Sequence, residues 1–185
     1  MNEIFNILEK KEQPIWEDKP KFGPYVTSIF LSSVFVSAIL GVFAGMFLSS
    51  FIIGIALGAV FIVIYLVIGL LNYNFTHYVL TDKRAIYQSG IFGRSYKSIN
   101  YDDIKNVSVV KGFFNWLFNT GTVHIFTGEM RSTGGDHPQI VPKYDSFLYI
   151  SDSDAVLRKL QENISEREEG LYGGKNVIQR VQIVK

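Results

Sequence analysis

The stretch VTSIFLSSVFVSAILGVFAGMFLSSFIIGIALGAVFIVIYLVIGLL, residues 26–71, contains no Asp, Glu, Lys, Arg or His. It is about 46 residues long, roughly twice the ~20 residues that one bilayer crossing requires. As one straight helix it would extend about 69 Å at ~1.5 Å per residue, more than twice the hydrocarbon thickness. The chain therefore has to reverse, and the sequence predicts a two-helix transmembrane hairpin over residues 25–72. Gly41 and Gly45 form one GxxxG pattern, and Gly54 and Gly58 form another. Small residues four apart clear a groove into which a second backbone can settle. Paired positions in an antiparallel hairpin share one index sum. Gly45 with Gly54 and Gly41 with Gly58 obey that rule and centre the turn on Ser49-Ser50, two residues suited to a turn. Glycine is also common in membrane helices generally, and a GxxxG pair between two copies is a further use for it. The symmetry favours packing within one chain.

Charge placement predicts the orientation. Lys10, Lys11, Lys19 and Lys21 precede the apolar run, Lys83 and Arg84 follow it, and the turn is uncharged. Lys and Arg mark the cytoplasmic side, so both termini are expected there, in a multi-pass protein of the cell membrane. Tyr25 and Tyr73 stand at the outer edges of the spans, where amphipathic rings prefer the headgroup level. The polar residues 1–24 lack the short apolar segment and small-residue cleavage site of a signal peptide.

Composition removes several classes of chemistry. The chain has no cysteine, which excludes disulfides, thiolate nucleophiles and Cys-ligated metals. Its net charge is +1, and residues 73–150 hold eight Lys and Arg against six Asp and Glu, well short of a nucleic-acid footprint. His77, His124 and His137 have no ligand spacing, and Asp102-Asp103 reads as a turn before Ile104. There is no phosphate loop, nucleophile elbow or HExxH. No enzyme, metal or cofactor is expected.

After the spans the period becomes two. Tyr78-Val79-Leu80, the polar turn Thr81-Asp82-Lys83-Arg84 and Ala85-Ile86-Tyr87-Gln88 predict a β-hairpin. Arg94 to Ile99, with Tyr96 on an inner face, predicts a third strand, and Ile104, Val107, Val109 and Val110 predict a fourth. Thr122 to Thr127 alternates and is β-branched. Gly128 to Pro138 reads as a long surface loop. Gln139-Ile140-Val141 and Phe147-Leu148-Tyr149-Ile150 complete the strands. Val156, Leu157, Leu160 and Ile164 share one helical face, with Ser151 or Ser153 as cap and Asp152 and Asp154 near its start. Strands followed by one amphipathic helix predict a small antiparallel barrel or sandwich covered by the helix, over residues 73–166. The tail, residues 167–185, is polar and then apolar from Val177 to Val184; it reads either as flexible or as a strand that pairs with a partner.

Four segments form a recognisable set: Pro14-Ile15-Trp16-Glu17-Asp18-Lys19-Pro20 ahead of the apolar hairpin; Tyr78 to Arg84 with Gly90; Asp103-Ile104-Lys105-Asn106-Val107 with Gly121-Thr122-Val123; and the helix from Asp154 to Ile164. In this order they resemble the bacterial pleckstrin-homology-like (PH-like) domain membrane proteins. The resemblance covers roughly residues 13–166. It implies a strongly bent sheet of about seven strands capped by a C-terminal helix. The segment from Gly128 to Pro142 is longer than the family pattern suggests.

Two candidate sites follow. PH domains that bind phosphoinositides use basic residues around their first strand turn, and the matching residues are Lys83 and Arg84, with Arg94 and Lys97 extending the patch. Arginine's fork suits phosphate oxygens, whereas Asp82 in the turn opposes the idea. Ordinary turn charges or positive-inside anchors would look the same. The second candidate is Phe113-Phe114-Asn115-Trp116-Leu117-Phe118. Phe113, Phe114, Trp116 and Phe118 would serve as an interfacial anchor or partner contact, or would plug one end of the barrel. The leading expectation is a membrane-tethered, non-enzymatic scaffold that binds a protein partner or a second copy. Recognition of anionic lipid headgroups is the alternative. A channel is disfavoured because the spans hold no ionisable residue.

Overall fold

A computed structural model describes residues 7–90, 95–135 and 137–182. The elements run β1 (Pro14–Asp18), α1 (Phe22–Phe47), α2 (Phe51–Phe75), β2 (His77–Thr81), β3 (Arg84–Ser89), β4 (Ser95–Asn100), a 3-10 turn (Tyr101–Asp103), β5 (Asn106–Val110), α3 (Phe113–Leu117), β6 (Gly121–Ser132), β7 (Ile140–Ile150) and α4 (Ser153–Gln182).

The helices turn where the glycine symmetry placed the turn. Ser49 adopts a left-handed φ of 52°, and the Ser50 N–H donates to the Gly45 carbonyl. A Cβ built on Gly54 would fall on the Gly41 carbonyl oxygen and 2.9 Å from the Gly45 backbone. One on Gly58 would lie 3.2 Å from the Ser37 carbonyl oxygen. The small-residue face of α1 extends back through the buried Ser37 and Ser33, whose hydroxyls donate to Val34 and Phe30 carbonyls of their own helix. Both helices are long and apolar enough to cross a membrane, and little of either is buried within the protein.

The N-terminal segment is not separate from the domain that follows the hairpin. β1 pairs antiparallel with β2, with Trp16 opposite Leu80, Glu17 opposite Val79 and Asp18 opposite Tyr78. The helical hairpin is thus an insertion between two neighbouring strands of one sheet. Trp16 stacks on Phe147 at 6.4 Å, and Phe147 stacks on Tyr78 at 4.7 Å. The sequence hid β1 because it is a five-residue edge strand opening on proline, with little alternation to betray it.

Two sheets form, ordered β1-β2-β3-β4 and β5-β6-β7. They face each other as an open sandwich and do not close into a hydrogen-bonded barrel. Leu80, Ala85, Ile99, Tyr101, Val123, Ile125, Phe147 and Ile150 fill the space between them, sealed by Val156 and Leu160 of α4. Tyr96, expected on the inner face, instead joins Leu8 over Val79 and Ile86 on the other side of the first sheet. At Gly121 a Cβ would collide with Ser153 of α4, so the glycine lets β6 pass beneath the helix start.

Two further expectations are corrected. Gly128 does not open a long loop. It sits at φ +91° in a register shift between Phe126 and Met130, and β6 then continues, pairing Met130 with Pro142 and Ser132 with Ile140. A bulge glycine mimicked a turn glycine. Helix α4 continues past Ile164 to Gln182, taking in residues of the tail read as flexible or strand-forming. Glycine at Gly170, Gly173 and Gly174 costs ~1 kcal/mol each in a helix but does not forbid one that is already nucleated. The helix cap is Asp152, whose Oδ1 accepts the Ala155 N–H at 3.1 Å, rather than Ser151 or Ser153.

Candidate functional site

Three of the four expected basic residues, Lys83, Arg84 and Lys97, are each paired with a carboxylate of the chain itself. Arg84 donates from Nε to Glu12 Oε1 at 2.8 Å and from Nη2 to Glu12 Oε2 at 2.7 Å. Thr81 Oγ1 also donates to Glu12 Oε1, and the Glu9 N–H donates to Oε2. These partners, the Arg84 bonds foremost, hold the buried Glu12 carboxyl far down, at about 2, against the opposing effect of burial. Lys83 Nζ pairs with Glu9 at 2.6 Å, which raises its pKa. Gln13 and Asp82 exchange two further bonds, one from each backbone N–H. Residues 7–13 therefore form a strap across the turn at Thr81–Arg84. Lys97 pairs with the buried Asp145 at 2.7 Å and lies 3.6 Å from Glu129. Burial disfavours its charge, yet the Asp145 bond and the two carboxylates outweigh that and raise its pKa. Arg94 lies outside the described residues. No spacing rule links Glu9 and Glu12 to a turn about seventy residues later, so the strap leaves no local signal in the sequence.

The aromatic segment is exposed and does not plug the sandwich. Phe113 is 69% exposed, Trp116 73% and Leu117 55%, with Phe118 also on the surface and Phe114 half-buried. Their scaffold is polar and buried: Asn115 Nδ2 donates to the Val110 carbonyl and to Thr122 Oγ1, while its Oδ1 accepts from Thr120. Phe118 leans on the first turn of α1, its ring carbons 3.0–3.1 Å from where a Gly23 Cβ would stand.

The hairpin joins the domain through aromatic contacts. Tyr25 meets Tyr73 at 5.3 Å and Tyr149 at 6.3 Å, and Phe22 meets Tyr73 edge-on at 5.4 Å. The Lys21 N–H donates to the Tyr149 carbonyl at 2.9 Å, and Asn72 Nδ2 donates to the Tyr25 hydroxyl at 3.3 Å. A cleft of about 300 Å³ opens at this junction, lined by Tyr25, Asn72, Tyr78, Tyr87, Tyr144 and Asp145 among others. The sequence did not reveal it, because its walls come from five separate segments. Of the histidines, His124 bonds Ser146 Oγ at 2.6 Å, and burial lowers both His124 and His77. Asp102 and Asp103 form the turn expected before Ile104. Among the described residues no group of three or more His, Cys, Asp or Glu is placed to hold a metal.

Two sheets, a covering C-terminal helix and a helical hairpin threaded into the first sheet define a PH-like domain with an apolar insertion. The model of the bacterial PH domain family matches residues 26–164, through both long helices and the sandwich, and the chain belongs to that family. A crystal structure of a DUF1696 family protein with a pleckstrin-homology domain from Shewanella loihica PV-4 is similar over 49% of this chain and 68% of that one, at 20% identity and a TM-score of 0.29. No curated protein matches the chain. Family and fold support a general role as an interaction module.

Proposed function

We propose that this chain is a membrane-integral, non-enzymatic interaction module, a scaffold held at the cytoplasmic face by its helical hairpin. The observation that carries the reading is the insertion of α1 and α2 between the paired strands β1 and β2. A hairpin that crosses twice returns the chain to one side, and the pairing needs both flanks there. The helices, of 26 and 25 residues, reach roughly 39 and 37 Å, enough for a tilted crossing. Phe35, Phe43, Phe47, Ile52 and Ile55 point outward, a surface suited to lipid and not to water.

The neutralised turn favours protein docking over headgroup capture at Lys83 and Arg84. A cation already bonded to a carboxylate must give up that bond before it meets phosphate. Met130 and Ile140, exposed at the far end of the β6–β7 ribbon, offer an apolar contact.

Single-cysteine labelling tests the reading, since no native cysteine interferes. Ser49→Cys should label only from outside the cell and Ser132→Cys only from the cytoplasm. Labelling of both from one side would sink it. A photo-crosslinker at Ile140 in native membranes should give a discrete protein adduct; adducts with lipid alone count against the scaffold.

A further inference from the structure

We infer that α3 is a second membrane attachment, its Phe113, Trp116, Leu117 and Phe118 seated in the headgroup–acyl boundary beside the base of the hairpin. The inference rests on the membrane-spanning reading of α1 and α2. Three observations carry it.

The first is inverted amphipathicity. In water a short surface helix turns its apolar residues inward, but α3 does the reverse. Asn115 is buried and bonded to Val110, Thr120 and Thr122, while Phe113 and Trp116 are about as exposed as the lipid-facing residues of the hairpin, such as Phe35 at 69%. The three Asn115 bonds fix that orientation, so the helix cannot roll its aromatic face into the sandwich without leaving buried polar groups unpaired.

The second is position. Phe118 lies on Gly23 in the first turn of α1, one residue from Phe22 and two from Tyr25. Tyr73 touches both the exposed Phe22 and the buried Tyr25 there, at the depth where Trp and Tyr rings gather. The exposed face of α3 thus adjoins the exposed Phe22 at the base of the spans.

The third is residue type. Trp and Phe are the side chains that partition into the interface, and they make up the exposed face of α3. A lipid surface is therefore the occupant that the location selects, ahead of a second copy or another protein. The anchor would fix the tilt of the domain on the bilayer by adding a second contact beside the hairpin.

Tryptophan depth measurement tests this on the full chain reconstituted alone in vesicles. Subtracting the Trp116→Phe spectrum from that of the unaltered chain isolates Trp116 without disturbing Trp16, which packs on Phe147. Phe35→Trp, added to Trp116→Phe, reports the hairpin. The expected result is blue-shifted Trp116 emission, strongly quenched by phospholipid brominated near the glycerol end and less by lipid brominated near the methyl end, with the Phe35→Trp probe showing the opposite order. A quenched hairpin probe with Trp116 open to aqueous iodide and untouched by bromolipid overturns the inference while leaving the membrane reading intact. So does a Trp116 shielded from both quenchers, which would mean a contact with a second copy. A hairpin probe that no bromolipid quenches removes the membrane reading, and this inference with it.

Discussion

Glu12 and Arg84 form a two-bond pair, at 2.8 and 2.7 Å, that ties the chain before the hairpin to the strand after it. Glu12 is buried, and its carboxyl moves from the ordinary 4.5 to about 2, which at ~1.36 kcal/mol per pH unit corresponds to roughly 3 kcal/mol at neutral pH. Glu12→Gln keeps the shape and removes the charge, leaving Arg84 with a weakened partner. It is expected to destabilise the domain by about 2–3 kcal/mol and to speed amide exchange in residues 9–13, read by hydrogen-exchange mass spectrometry on the reconstituted protein. Unchanged exchange there would show that the strap is held by something else.

The same pair sets an acid response. The docked carboxyl has the lower pKa, so the released strap binds a proton more readily, and acid favours release. The stabilisation is full above about pH 4.5 and is lost as the pH falls toward 2. Exchange of the strap amides, corrected for intrinsic rates, should rise across that window in the unaltered chain. In Glu12→Gln it should already be high at pH 6 and stay flat.

Gly54 tolerates no side chain, because its Cβ position is occupied by backbone of the facing helix. Backbone cannot swing aside as a side-chain tip can. Gly54→Ala is expected to cost at least the ~1–3 kcal/mol typical of overpacking, and Gly58→Ala less, since its nearest neighbour, the Ser37 carbonyl oxygen, stands at 3.2 Å. Thermal denaturation in detergent should rank them in that order below the unaltered chain. Equal stability of all three would mean that the helices do not pack through this face.

The hairpin was legible in the sequence because its signals are local. A charge-free run sets its length, and glycines at fixed spacing set its register. Most strands of the sandwich were legible for the same reason, alternation being a short-range pattern. The features that failed to show depend on distant partners. β1 is a strand only because β2 lies beside it, and Lys83 and Arg84 look like a free basic patch until Glu9 and Glu12 fold across them. The Phe113–Phe118 segment is a different case, open in the sequence between burial and exposure. Its composition suits a core or a membrane equally, and only the inward bonds of Asn115 decide which way the aromatic rings face.

The inserted hairpin has a consequence for dissecting the protein. Cutting at residue 73 keeps β2 to α4 but discards β1, so Trp16 leaves Phe147 and the β2 edge loses its partner. Such a fragment is expected to aggregate, since an unpaired edge beside exposed core is prone to do so. Excising the hairpin instead should preserve the fold. Asp18 faces Tyr78 in the register, so Lys19 joined to His77 through Asn-Gly would close an ordinary two-strand turn. That variant, carrying Trp116→Ser and Phe113→Ser to remove the exposed aromatic face, is expected to be a soluble monomer that melts cooperatively with Trp16 emission from an apolar environment. Restoring Phe113 and Trp116 should drive it to vesicles, and self-association without vesicle binding would count against the lipid-facing role of α3. Cooperative melting of the 73–185 fragment at the same temperature would show instead that β1 contributes nothing to the domain, and the hairpin would then be a tether ahead of the fold and not an insertion within it.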